Sequence, residues 1–141
     1  MKKAQKRLGN KGFSLVELIV VIAIMAVLVG VLAPTLIKNV EKSKESKDQQ
    51  NLDSVKEAIT TVLSDQDYYD TLYNNSITVN GKTGSLSISS DLYGSNTALS
   101  EIKDSLGSTE VKMSSKKYNN SNVTFTITNG KVSQGDPAEI K

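Results

Sequence analysis

One carboxylate stands where the surrounding chemistry is hostile to it. Glu17 lies inside an apolar run, and from Leu18 to Ile37 twenty residues follow without a charge. Placing a carboxylate in a bilayer costs on the order of 2.5–3.5 kcal/mol on insertion scales. Two readings stay open from the residue alone. The acid sits at an interface and reaches into headgroups, or it has a cationic partner. Elsewhere, Asp65, Asp67 and Asp70 cluster beside Tyr68 and Tyr69. Their spacing matches no EF-hand loop, which needs its own Gly and a terminal Glu. We read them as a solvated turn. The sequence has no Cys and no His. Disulfides, Cys/His zinc sites, thiol nucleophiles and His general bases are thereby removed. Neither a Gly-x-Ser-x-Gly elbow nor a phosphate-binding Gly-rich loop is present. No enzyme activity and no cofactor is expected.

The elements around Glu17 divide the 141 residues into three parts. The first eleven residues carry five cations (Lys2, Lys3, Lys6, Arg7, Lys11) and no acid. Of 17 basic residues, the 12 that remain face 15 acids, a balance of −3 against +2 for the whole chain. The basicity belongs to a short leader, which argues against a nucleic-acid-binding domain. An uncharged helix of twenty residues spans about 30 Å, the thickness of a bilayer core. That is too long for the core of an ordinary signal peptide. Val31-Leu32-Ala33 imitates a signal-peptidase site, but Pro34 directly follows it. Five cations before the span against four after it (Lys38, Lys42, Lys44, Lys47) favour a cytoplasmic N-terminus.

Beyond Lys38 the pattern becomes amphipathic. Leu52, Val55, Ile59, Val62 and Leu63 recur at helical steps, while the charges of residues 41–57 read mostly as a solvated face. One helix is predicted from Ser14 to Ser64. A small head of mostly β structure follows. Ile77-Thr78-Val79 precedes Asn80-Gly81, a hairpin turn pair. Thr97–Leu106 reads as a short helix with Leu99, Ile102 and Leu106 inward. Glu110–Ser114 is a candidate strand with Val111 and Met113 on one face. Val123, Phe125 and Ile127 alternate with threonines and lead through Asn129-Gly130 into Lys131-Val132-Ser133, a second hairpin. The expected class is α+β: a long N-terminal helix packed on an antiparallel sheet of three to five strands.

The run Gly12-Phe13-Ser14-Leu15-Val16-Glu17-Leu18, behind a basic leader and ahead of the apolar stretch, resembles the class III signal of type IV prepilins. The resemblance implies the type IV pilin fold. It divides the chain into a cleaved leader (1–12), a transmembrane and fibre-core helix (13–37) and a pilin head containing the helix's C-terminal half (38–141). It implies cleavage between Gly12 and Phe13 by a membrane prepilin peptidase, then N-methylation of Phe13. Gly12, without a side chain, lets a protease close around the backbone. Glu17 lies four residues from the new Phe13 amine, on one helix face. It is expected to meet that amine in its own chain before assembly and in a neighbouring subunit afterwards, which sets helix register along the fibre. An apolar face including Leu15, Leu18, Ile19, Ile22 and Val29 would contact lipid first and other helices later. Pro34 cannot donate to the Gly30 carbonyl. The resemblance implies loosening there in filaments, and a simple kink is the alternative.

The implied function is a structural subunit of type IV pilus filaments, serving adhesion, aggregation or twitching motility. The alternative is a pseudopilin of a type II secretion or competence DNA-uptake machine. The implied partners are further copies of the chain, the prepilin peptidase, an assembly machinery with its ATPase and, before assembly, the membrane. The implied location is a single pass in the cytoplasmic membrane, then a cell-surface pilus. Lack of cysteine departs from the disulfide-closed C-terminal region of many Gram-negative members and points to a major pilin of a Gram-positive bacterium.

Overall fold

The computed structural model describes residues 12–89 and 94–140. The five leader cations lie outside the described residues. The chain divides into two compact units, Met1–Lys38 and Asn39–Lys141. Helix α1 (Leu15–Leu63) contributes to both.

In the first unit, α1 is apolar apart from Glu17, Thr35 and Lys38, and among the described residues its large apolar side chains have nothing to pack on. Its large hydrophobic side chains, from Leu15 to Ile37, are all exposed. The helix is long and apolar enough to cross a membrane. It runs unbroken through Gly30 and Pro34 in this single chain.

In the second unit, α1 buries the stripe foreseen from its spacing: Leu52, Val55, Ile59, Val62 and Leu63. Helix α2 (Gln66–Leu72) follows directly, where a solvated turn was expected. The correction has a local cause. Asp65 is the N-cap, its side chain accepting from the Asp67 N–H at 3.1 Å, and Leu72 gives the short helix a buried anchor. Helix α3 (Ser95–Leu106) buries Ala98 and Ile102. It ends at Gly107, whose φ of 69° lies in the left-handed region.

The strands form an antiparallel sheet: β1 (Ser76–Asn80), β2 (Leu86–Ile88), β3 (Ser121–Thr128), β4 (Lys131–Gln134) and β5 (Ala138–Glu139). The order is β2-β1-β3-β4, with β5 pairing β3 at Ser121 and Asn122. Ile77, Val79, Val123, Phe125 and Ile127 are buried, so period-two alternation turns one face to the core. Val79 lies opposite Leu86 and Val123, and Ile77 opposite Ile88 and Phe125.

Asn129-Gly130 forms the tight connection of β3 to β4, with φ of 51° and 72°, as two-residue hairpins demand. Asn80-Gly81 does not. The β1–β2 connection is a longer loop, Gly81 to Ser85, in which the Asn80 Oδ1 accepts from the N–H groups of Lys82 and Thr83, each at 3.0 Å. The left-handed residue is Gly84, at φ 76°. Gly81 is required for closeness: a Cβ there would lie 1.8 Å from the Tyr118 carbonyl oxygen.

Glu110–Ser114 is also corrected. Only an isolated bridge, Ser85 to Glu110, forms there. Val111 and Met113 are buried as their alternation implies. The backbone N–H groups further along go to carboxylates of α1 instead of a neighbouring strand.

Candidate processing and assembly site

The first turn of α1 is held by its own side chains. Ser14 precedes the helix, and its N–H donates to Glu17 Oε2 at 2.9 Å. The Val16 N–H donates to Ser14 Oγ at 3.4 Å. Helix N-termini leave N–H groups without intrahelical acceptors, and a Ser followed three residues later by Glu satisfies two of them reciprocally. The Ser-x-x-Glu signal was legible in the sequence, and weight on Glu17's charge obscured it. The carboxylate is thus held at the N-terminal end of α1, next to the Gly12–Phe13 bond. Phe13 itself is 94% exposed. A Cβ on Gly12 would meet no heavy atom within 4 Å, and the same is true of Gly30. Among the described residues, nothing crowds either glycine.

A second group of acids lies in the second unit. Glu41 and Asp48, seven residues apart, continue the inward stripe of α1 beyond Leu52. Asp48 is fully buried. Its carboxylate accepts from the N–H groups of Ser114, at 3.0 Å to each oxygen, and of Ser115, at 2.7 Å. Both serine hydroxyls donate to it as well. Burial pushes its pKa up, and the hydrogen bonds from Ser115 and Ser114 more than offset this, leaving it below the ordinary carboxylate value. Glu41 accepts from the Lys116 N–H. These acids latch segment 114–116 onto α1. The sequence reading placed both among solvated charges, because no periodicity reveals that a distant loop will bring bare N–H groups to them.

The acidic cluster Asp65, Asp67 and Asp70, read as a solvated turn, lies at and within α2. Asp65 caps α2, and among the described residues no group of three His, Cys, Asp or Glu side chains could hold a metal ion.

A long helix with an apolar, unpacked first half, continued into a small α+β unit with an antiparallel sheet, defines the class: the architecture is that of the type IV pilin fold. The prokaryotic N-terminal methylation motif matches residues 7–33. Prepilin peptidase-dependent protein A of Clostridium perfringens (strain 13 / Type A) is 31% identical over 115 residues, covering 81% of this chain and 79% of that protein. The type IV major pilin protein PilA of Myxococcus xanthus (strain DK1622) is 35% identical over 65 residues, or 46% of this chain. That match spans 30% of the Myxococcus protein's length. No solved structure matches. The chain belongs to the family of type IV pilin-like prepilins.

Proposed function

We propose that this chain is the structural subunit of a type IV pilus, a major pilin that polymerises through its N-terminal helix. The supporting observation is the exposed apolar stretch of α1 beside a Glu17 held at the helix start. Such a helix dissolves in lipid as a precursor and needs other apolar helices once it leaves. Residues 1–12 act as the cleaved leader, residues 13–37 as the membrane and fibre-core segment, and residues 38–141 as the head. Prepilin peptidase cuts between Gly12 and Phe13, and the new Phe13 amine is methylated.

Cleavage creates the cation that the hydrophobic environment requires. The new ammonium lies within reach of the Glu17 carboxylate on the same helix face. An unpaired buried charge is strongly unfavourable and a paired one far less so. In the filament the pair forms between neighbouring subunits and selects one register. Gly30 and Pro34 mark where the helix loosens on assembly, since the Pro34 ring supplies no N–H to the Gly30 carbonyl. Assembly is driven by an ATPase-containing machinery, and the finished fibre lies outside the cell, serving adhesion, aggregation or twitching.

Mass spectrometry of the N-terminus in the sheared surface fraction tests this reading. A peptide beginning at methylated Phe13, in a fraction containing long filaments, is the expected result. The same peptide confined to membranes would replace the pilus by a pseudopilin. An intact leader in the sheared material would overturn the prepilin mechanism.

A further inference from the structure

An open groove of about 600 Å³ runs between the second half of α1 and the segment that follows α3. Lys47, Asn51 and Ser54 form one wall, and Ser108, Glu110 and Lys112 the other. The second wall is braced. Asn51 Nδ2 donates to the Lys112 carbonyl at 3.3 Å. Ser108 Oγ donates to the Glu110 carbonyl at 2.7 Å and accepts from the Glu110 N–H at 3.3 Å. The groove is therefore shaped before anything enters it.

Its charge is cationic. Lys112 and Glu110 approach at 3.6 Å, both side chains more than half exposed. Among the described residues no other ion pair forms, so Lys47 keeps its charge unneutralised. Lys44, three residues before Lys47, adds a further cation on the same side of α1. Glu41 and Asp48, the acids that would offset these lysines, are turned to the backbone of segment 114–116.

The complementary surface is on the same chain. Asp67 and Asp70 are three residues apart on α2, exposed and without an ion pair among the described residues. At that spacing their carboxylates share one helix face. The groove lies beside α1 residues 47–54, and α2 follows the end of α1 at Leu63. At a helical rise of 1.5 Å per residue, the end of α1 at Leu63 lies about 14–24 Å beyond the groove residues Ser54 to Lys47, so the two surfaces are displaced from one another along the chain.

We infer that the groove is a docking site for the Asp67–Asp70 face of α2 from a second copy of this chain. The two surfaces are unlike and displaced along α1. Contacts between unlike surfaces are heterologous, and where the operation does not close they propagate into an open fibre. The head thus supplies a directional contact of its own, in addition to the apolar helix. Charge complementarity of this kind selects partner and register more than it supplies affinity. The inference rests on the filament reading above and names the head surfaces that filament would use.

The natural absence of cysteine allows a direct test. The full chain carrying Asp67→Cys and Lys112→Cys is expressed in cells that assemble it, sheared, mildly oxidised and run without reductant. A ladder of covalent multimers is expected, with each single-cysteine chain giving at most a dimer. Separately, Lys47→Glu with Lys112→Glu should lower sheared filament yield about tenfold. Adding Asp67→Lys and Asp70→Lys should restore most of that yield, which separates a lost contact from a misfolded head. Filaments of the double-cysteine chain that give no ladder, or a one-sided reversal that leaves filament yield unchanged, would overturn the inference while leaving the filament reading intact. A wild-type chain that forms no filaments at all would sink both.

Discussion

Asp48 concentrates several functions in one side chain. It is buried, ionised and bonded to two backbone N–H groups and two hydroxyls. Replacing it with Ala leaves those donors without an acceptor, and the cost should be about 3 kcal/mol. A shift of the urea midpoint of the full chain in detergent, at constant slope, is the measurement. The pH dependence follows from the lowered folded pKa. The unfolded carboxyl titrates near 3.9, so the group's stabilisation is complete above about pH 5 and is lost as pH falls through the lower folded value. Asp48→Asn should flatten this acid limb and leave the neutral-pH slope unchanged.

Glu17 separates two roles in the same way. Gln preserves the reciprocal cap at the start of α1 but removes the charge. Glu17→Gln should therefore leave helix content and leader removal intact while filament yield falls. Electron microscopy of sheared material alongside N-terminal mass spectrometry would show it. Yield unchanged by Glu17→Gln would mean that the cap suffices and the charge pair does not set register.

Among the elements, the two hairpins respond to one chemistry in different ways. Asn129-Gly130 lies where the β3–β4 register calls for two left-handed residues, and it supplies them. Asn80-Gly81 has the same side chains but a neighbour that the other lacks. Tyr118 and Ser121 crowd Gly81, whose N–H donates to the Ser121 carbonyl at 2.9 Å. Gly81→Ala drives a methyl into backbone atoms that cannot rotate away. It should cost at least about 2 kcal/mol, more than the strain of about 1 kcal/mol expected for Gly130→Ala. Thermal unfolding of the two variants side by side gives the order. The segment read as a strand at Glu110–Ser114 belongs to the same lesson: its alternation placed Val111 and Met113 correctly, but carboxylates of α1 claimed the N–H groups beyond them.

Over the whole molecule, apolar surface is divided unevenly. In the second unit the core closes over Phe125, Leu52, Ile59, Ile77 and their neighbours, and among the described residues Val40, Tyr69 and Tyr73 are its large apolar side chains left exposed. In the first unit no large apolar side chain is covered among the described residues. A fragment of residues 39–141 should thus be soluble, monomeric and cooperatively folded, whereas the full chain should partition into membranes or detergent. Size-exclusion chromatography with circular dichroism on the fragment checks this. Aggregation of the fragment would mean that its core needs the rest of the chain or other subunits.

The linear chain by itself determined whatever depends on local spacing. The uncharged run, the Gly-Phe-x-x-x-Glu register, the helical stripe from Leu52 to Leu63 and the β3–β4 turn are each fixed by neighbours a few residues away. Hydrophobic period and turn chemistry act over that range. Tertiary structure alone decided what depends on residues far apart. Asp48 meets Ser114 and Ser115 across more than sixty positions, and Gly81 is confined by Tyr118. Lys47 faces Lys112 across a groove that exists only after α3 has turned the chain back. A buried carboxylate and a solvated one have the same letter, and only folding determines which donors reach it.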